Sequence, residues 1–125
     1  MTAYRAVVLE HFRRPRNRGS LDGATVSAEG ANALCGDRIR VELRVEGAIV
    51  ADAMFTADAC ALCIASASLL TEHVKGLHVD DVKALDAAAI SRALDGDPPP
   101  GSVKCALLPL NTMRRALDRL DSTPS

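Results

Sequence analysis

The chain has 125 residues, a formal net charge of −1, and 48% hydrophobic, 25% charged and 2% aromatic residues. That length suits one compact domain spanning residues 1–125, and the near-neutral charge does not suit a polyanion binder. With no Trp and one Tyr, a stacking platform for single-stranded nucleic acid is hard to build, so no nucleic-acid partner is expected.

The apolar residues Tyr4, Val7, Val8 and Phe12 recur at helical spacing, which predicts a helix from Ala3 to about Arg14 that Pro15 ends. Arg16 to Ser20 is turn-rich; its arginines read as a solvated surface, or as a docking patch for an acidic partner. Ala24 to Glu29 is a candidate short strand. From Ile39 to Val45 the sequence alternates, with Ile39, Val41, Leu43 and Val45 on one side and Arg38, Arg40, Glu42 and Arg44 on the other. That is a half-buried strand. After the Glu46-Gly47 turn, Ile49 to Phe55 returns as the second arm of a hairpin. The sheet should be antiparallel and covered on one face.

Cys60 to Lys75 reads as a mostly apolar, buried helix that Gly76 stops. Asp80 to Leu94 holds one or two short helices, with Asp86 a plausible N-cap, and Asp95 to Gly101 is a loop. A last amphipathic helix runs from about Ala106 to Leu120, with Leu110, Met113, Leu117 and Leu120 on one side; Pro109 should delay its start, and the last few residues should fray. The order predicts an α+β fold: a small three-stranded antiparallel sheet with helices packed on one face.

No apolar run approaches the roughly 20 residues that span a bilayer, and nothing reads as a signal peptide, because Glu10, His11 and several arginines fall where an apolar stretch should run. A cytoplasmic protein without a membrane partner is expected. In that compartment a spaced cysteine set points to metal binding or catalysis rather than disulfides. Cys35-Gly36-Asp37 precedes a strand, Cys60 marks a strand-to-helix change and Cys105 precedes the last helix. Side chains at element ends can converge on one point. Cys60 and Cys105 lie near helix N-termini, where the dipole and free N–H groups favour thiolate. Three thiolates with the Asp37 carboxylate would suit tetrahedral zinc or an iron site, and the carboxylate, a weaker ligand for soft metals, would keep the site exchangeable. Cys60-Ala61-Leu62-Cys63 is a CxxC at a helix start: a redox dithiol, two ligands on one helix face, or a Cys63 packed inward, the last being preferred. His11, His73 and His78 read as ordinary side chains rather than ligands.

Several segments resemble a known family, the U-type iron–sulfur cluster assembly scaffolds (SufU, IscU and the NifU N-terminal domain). YRAVVLEHFRRPRNRG from Tyr4 is similar to their N-terminal helix and turn. NALCGDRI from Asn32, FTADACALCIASASLLTEHVKG from Phe55 and VKCAL from Val103 resemble their three cysteine motifs. The resemblance implies a SufE/NifU-like fold and a scaffold that accepts sulfur from a cysteine desulfurase, binds iron or a [2Fe–2S] cluster and passes it to apo iron–sulfur proteins. Zinc is the alternative occupant, in a zinc-bound sulfur acceptor that stimulates the desulfurase. The ligand set it implies is Cys35, Asp37, Cys60 and Cys105, with the persulfide accepted on Cys35 or Cys105. Lys104, where the IscU branch has histidine, favours the SufU-like branch; the insertion that branch carries before the third cysteine is missing, and Ala57 and Ala59 replace flanking glycines.

Overall fold

The computed structural model describes residues 3–121. Its elements are α1 (Ala3–Arg13), β1 (Val26–Asn32), β2 (Asp37–Glu46), β3 (Ile49–Asp58), α2 (Ala61–Val74), α3 (Val79–Lys83), α4 (Ala87–Leu94), a 3₁₀ turn (Pro100–Ser102) and α5 (Val103–Asp121). The strands form one antiparallel sheet in the order β1-β2-β3, with Asn32 opposite Asp37 and Arg38 opposite Asp58. This is the α+β architecture that the hydrophobic pattern predicts.

The alternation in β2 decides which face is covered. Ile39, Val41 and Leu43 are buried together with Ala28, Val50, Ala53 and Phe55, while Arg38 and Arg40 on the other face stay in water. Onto the apolar face pack α5, against β1 and β2, and α2, against β3 and α5; α1 and α4 lie outside against α2. With few aromatics available, α2 fills the centre with small residues, and Cys63, Ala65, Ser66, Ala67 and Ser68 are all buried. Its buried hydroxyls are satisfied: Ser66 Oγ donates to Ala106 O at 2.6 Å and Thr71 Oγ1 to Ala67 O at 2.8 Å, as burial of polar groups requires.

Both sheet edges are closed. Beyond β3, Gly19 N donates to Phe55 O at 2.8 Å and Phe55 N to Asn17 O at 2.9 Å, so the turn after α1 continues the ladder. Beyond β1, Arg115 Nη2 donates to Glu29 O at 2.6 Å and Arg119 Nη1 to Ser27 O. Arginines from α5 thus occupy carbonyls that an incoming strand would use.

Three boundaries differ from expectation. β1 runs to Asn32 rather than stopping at Glu29, because Gly30 to Asn32 pair with β2 although they carry no alternating pattern. β3 likewise runs on past Phe55 to Asp58, paired to Arg38. Pro109 does not delay the last helix: α5 starts at Val103 and takes Pro109 into its interior. The proline has no N–H for the Cys105 carbonyl, a cost of about 3 kcal/mol in an isolated helix, and burial of Leu108, Leu110, Met113 and Leu117 on the sheet outweighs it. The capping reading of Asp86 holds, its Oδ1 accepting from Ala89 N at 3.0 Å.

At Gly30, α5 lies close over β1. A Cβ there would stand 2.1 Å from Thr112 Oγ1, 2.9 Å from Arg115 Nη2 and 3.1 Å from Leu108 Cδ1. Gly30→Ala is therefore expected to cost about 1–3 kcal/mol through overpacking. Adding Thr112→Ala should restore part of the loss; urea unfolding of the single and double variants measures both.

Candidate metal centre

At one end of the sheet three chain segments meet: the β1–β2 hairpin turn (residues 33–36), the β3–α2 junction (59–60) and the first turn of α5. Each brings a cysteine. Gly36, at φ +72°, adopts the left-handed conformation the hairpin turn needs, and Cys35 N donates to Asn32 O at 3.2 Å. Cys35 is exposed at the tip. Asp37 begins β2 on its inward face and is only 1% exposed. Cys60 is the N-cap residue of α2 and makes no side-chain cap hydrogen bond. Cys105 lies inside α5 as its third residue, not ahead of it, and is buried.

The side chains converge. Cys105 Sγ and Cys35 Sγ are 3.4 Å apart, and one donor atom each from Cys35, Asp37 and Cys105 lie within 4.8 Å of one another. Cys60 joins through the carboxylate: its N–H donates to Asp37 Oδ1 at 2.9 Å and its Sγ lies 3.8 Å from Oδ2. Soft sulfurs beside one carboxylate form a donor set that fits zinc or iron.

Burial decides the electrostatics of Cys105. Its thiol is pushed up, first by burial, then by hydrogen bonds with Asp37 and Cys35 and by the charge of Cys60. This corrects the expectation that a helix N-terminus would favour its thiolate: negative neighbours in a dry site outweigh the dipole. A bound cation would reverse that balance, since its charge is the largest in any such site.

Two neighbours were given no role in the site by the sequence. Asn32 Nδ2 donates to Cys105 Sγ at 3.6 Å; only the hairpin register, which sets Asn32 opposite Asp37, could have placed it there. The Tyr4 phenol has its pKa raised by burial and by the charge of Cys60. Its side chain packs on Gly96, where a Cβ would meet Tyr4 Cβ at 2.8 Å.

Cys63 is fully buried in the core, the inward packing preferred on sequence. The histidines stand away from the cysteines. His11 Nδ1 pairs with Ser68 Oγ at 2.7 Å, and His78 Nδ1 accepts from Asp80 N at 3.1 Å as the α3 cap. Two of the arginines after α1 are engaged with the protein itself: Arg16 Nη2 pairs with Glu10 Oε1 at 3.4 Å and Arg18 Nη2 donates to Ala57 O at 3.1 Å. An open groove of about 870 Å³ on the charged sheet face, lined by Arg38, Arg40, Thr56 and Asp58 among others, holds none of the cysteines. Among the described residues no helix is long and apolar enough to cross a membrane.

Known proteins share this arrangement of chain. The model of a family described as the NifU-like N terminal domain matches residues 3–124. The zinc-dependent sulfurtransferase SufU of Bacillus subtilis is 40% identical over 79 residues, covering 63% of this chain and 53% of that protein, so the match spans about half the length of that relative. The iron-sulfur cluster assembly scaffold protein IscU of Thermotoga maritima is 34% identical over 133 residues, covering 94% of each chain. A crystal structure of the N-terminal part of a NifU-like protein from Brucella abortus superposes with a TM-score of 0.80, covering 98% of this chain and 96% of that one at 22% identity, which is a likeness of fold.

Burial also has a consequence at Cys63, whose thiol is pushed from 9.0 to about 12 by burial first and then by the charges of Asp37 and Cys60. Below pH 9 folded and unfolded chains both keep that proton and the contribution to stability is full; between 9 and about 12 only the unfolded chain loses it, so stability falls as pH rises. Urea unfolding of the metal-free chain across that interval should show this alkaline loss, and Cys63→Ala should flatten it.

Proposed function

The chain belongs to the NifU-like N terminal domain family, and on that premise we propose that it is an iron–sulfur cluster assembly scaffold, which takes sulfur from a cysteine desulfurase, gathers iron into a [2Fe–2S] cluster and hands it to apo-proteins. One observation carries the reading: Cys35, Asp37 and Cys105 place donor atoms within 4.8 Å of one another, with Cys60 held to the same carboxylate, in a chain that aligns along 94% of its length with a named cluster scaffold.

In this reading iron and cluster are cargo, bound by Cys35, Asp37, Cys60 and Cys105. Sulfur arrives by thiol exchange, in which a thiolate attacks the sulfane sulfur of the desulfurase persulfide and the desulfurase thiolate leaves. Such an acceptor must be reachable. Cys35 is exposed at the hairpin tip beside Leu34, which is 85% exposed, and that apolar neighbour suits a partner surface. In this reading Cys105, whose sulfur lies 3.4 Å from that of Cys35, receives the sulfur next. Asp37 is the hard ligand of the set and the weak point through which the cluster leaves. Four free cysteines suit the reducing cytoplasm.

A second reading has one observation in its favour: the Bacillus relative is named a zinc-dependent sulfurtransferase. The same four residues would then hold zinc, whose charge favours the thiolate form, and the protein would relay persulfide without building a cluster.

Anaerobic reconstitution with iron, cysteine and a cysteine desulfurase, read by visible absorption and metal analysis, separates the two. The scaffold reading expects a labile iron–sulfur chromophore that Cys60→Ser abolishes and whose loss Asp37→Ala slows. Stoichiometric zinc, no chromophore, and a stimulation of the desulfurase that disappears in Cys35→Ala would replace it with the relay.

A further inference from the structure

The CxxC at the head of α2 is left over once the donor set is assigned. Cys60 is the N-cap residue, exposed; Cys63, the third residue of the helix, is fully buried. Ile64 N donates to Cys60 O at 3.1 Å, so the first turn is closed and Cys60 stands one turn ahead of Cys63. Cα atoms three residues apart along a helix lie roughly 5 Å apart, inside the range of about 4.4–6.8 Å that a disulfide spans, and the Cβ atoms have to close from roughly 5–6 Å to about 3.5–4.5 Å. An accessible cysteine at a helix N-terminus with a shielded one a turn later is the layout of a redox dithiol. Packing alone does not call for a thiol at residue 63: its neighbours in the helix, Ala65 and Ala67, fill the same buried layer without one.

We propose that Cys60 and Cys63 form a resolving pair that releases sulfane sulfur as hydrosulfide. The proposal rests on the sulfur-accepting reading above, since the oxidant is sulfane sulfur itself, delivered to Cys60 by a persulfide on a partner or on a neighbouring thiol of the site. Cys63 sulfur attacks Cys60 Sγ. The Cys60 S–S bond to the outer sulfur breaks, the Cys60–Cys63 disulfide forms, and the outer sulfur leaves with the bonding electron pair and the Cys63 proton as hydrogen sulfide or its anion. The two thiols supply the two electrons that reduce the sulfane sulfur, so the first release needs no other reductant. A dithiol reductant then reopens the pair. Until it does, Cys60 is withdrawn from the donor set, which separates sulfide release from iron capture in time.

The test uses the full-length chain with Cys35→Ser and Cys105→Ser, because those two sulfurs, 3.4 Å apart, could resolve a persulfide between themselves. The metal-free protein is loaded anaerobically with inorganic tetrasulfide and desalted. Hydrosulfide is assayed and disulfides are mapped by peptide mass spectrometry. The expected result is hydrosulfide release matched by a Cys60–Cys63 disulfide. With Cys63→Ala added, the persulfide on Cys60 should outlast that of the parent by roughly tenfold or more, because its intramolecular attacking thiol is gone. Equal release with and without Cys63 overturns the proposal. In the unsubstituted chain, equilibration in glutathione redox buffers provides a measurement that does not depend on the variants folding: a Cys60–Cys63 disulfide is expected, and its absence at every buffer ratio overturns the proposal as well. Chemical loading bypasses the desulfurase, so a chain that resolves tetrasulfide sulfur but takes none from a desulfurase keeps this inference and loses the scaffold reading.

Discussion

A carboxylate almost fully removed from water has to be answered by donors or by a cation. Asp37 is answered at 2.9 Å by the backbone N–H of Cys60, with the Cys60 thiol 3.8 Å from its other oxygen. That bond ties the start of β2 to the start of α2, two elements that the whole of β3 separates. It holds the hairpin turn with Cys35 and the helix cap with Cys60 at one place, and α5 then lays Cys105 beside them. Burial first, and then the same carboxylate and the other cysteines, make thiolate formation costly at Cys105.

Bringing α5 that close depends on what β1 lacks. Gly30 has no side chain, and Thr112, Arg115 and Leu108 lie where one would be. The helix rests on strand backbone, its arginines reach past the strand to the carbonyls of Glu29 and Ser27, and Cys105 is carried to the hairpin turn. A bulkier strand would hold α5 away and leave the third sulfur short. The same contact explains why Pro109 is tolerated: once the helix is pinned along its buried face, a missing backbone hydrogen bond in its second turn does not decide where it begins.

Much of the fold was legible because its signals are local. Alternation in β2, the Gly47 turn, the apolar run of α2 and the Asp86 cap each depend on neighbours within a turn or a strand pair. The errors fall where local signal is absent. Residues 30–32 pair with β2 without alternating, residues 56–58 continue β3 past its apolar pattern, and a proline inside α5 reads as a break until the packing on the sheet is known. Asn32 and Tyr4 open two of the quoted motifs, but nothing in their own surroundings in the chain gives either a place beside the cysteines.

The sequence by itself determined the element order, the covered face of the sheet and the candidate sulfurs, because residue type and spacing set helix, strand and turn. Its motifs also sufficed to place the chain in its family. Only the tertiary structure decided that Asp37 is buried rather than open, that Cys105 sits within a helix with its proton held tightly, and that Cys63 stands behind Cys60 in the core. Those properties depend on desolvation and on charges brought together from distant parts of the chain, and no reading of neighbours along the sequence contains them.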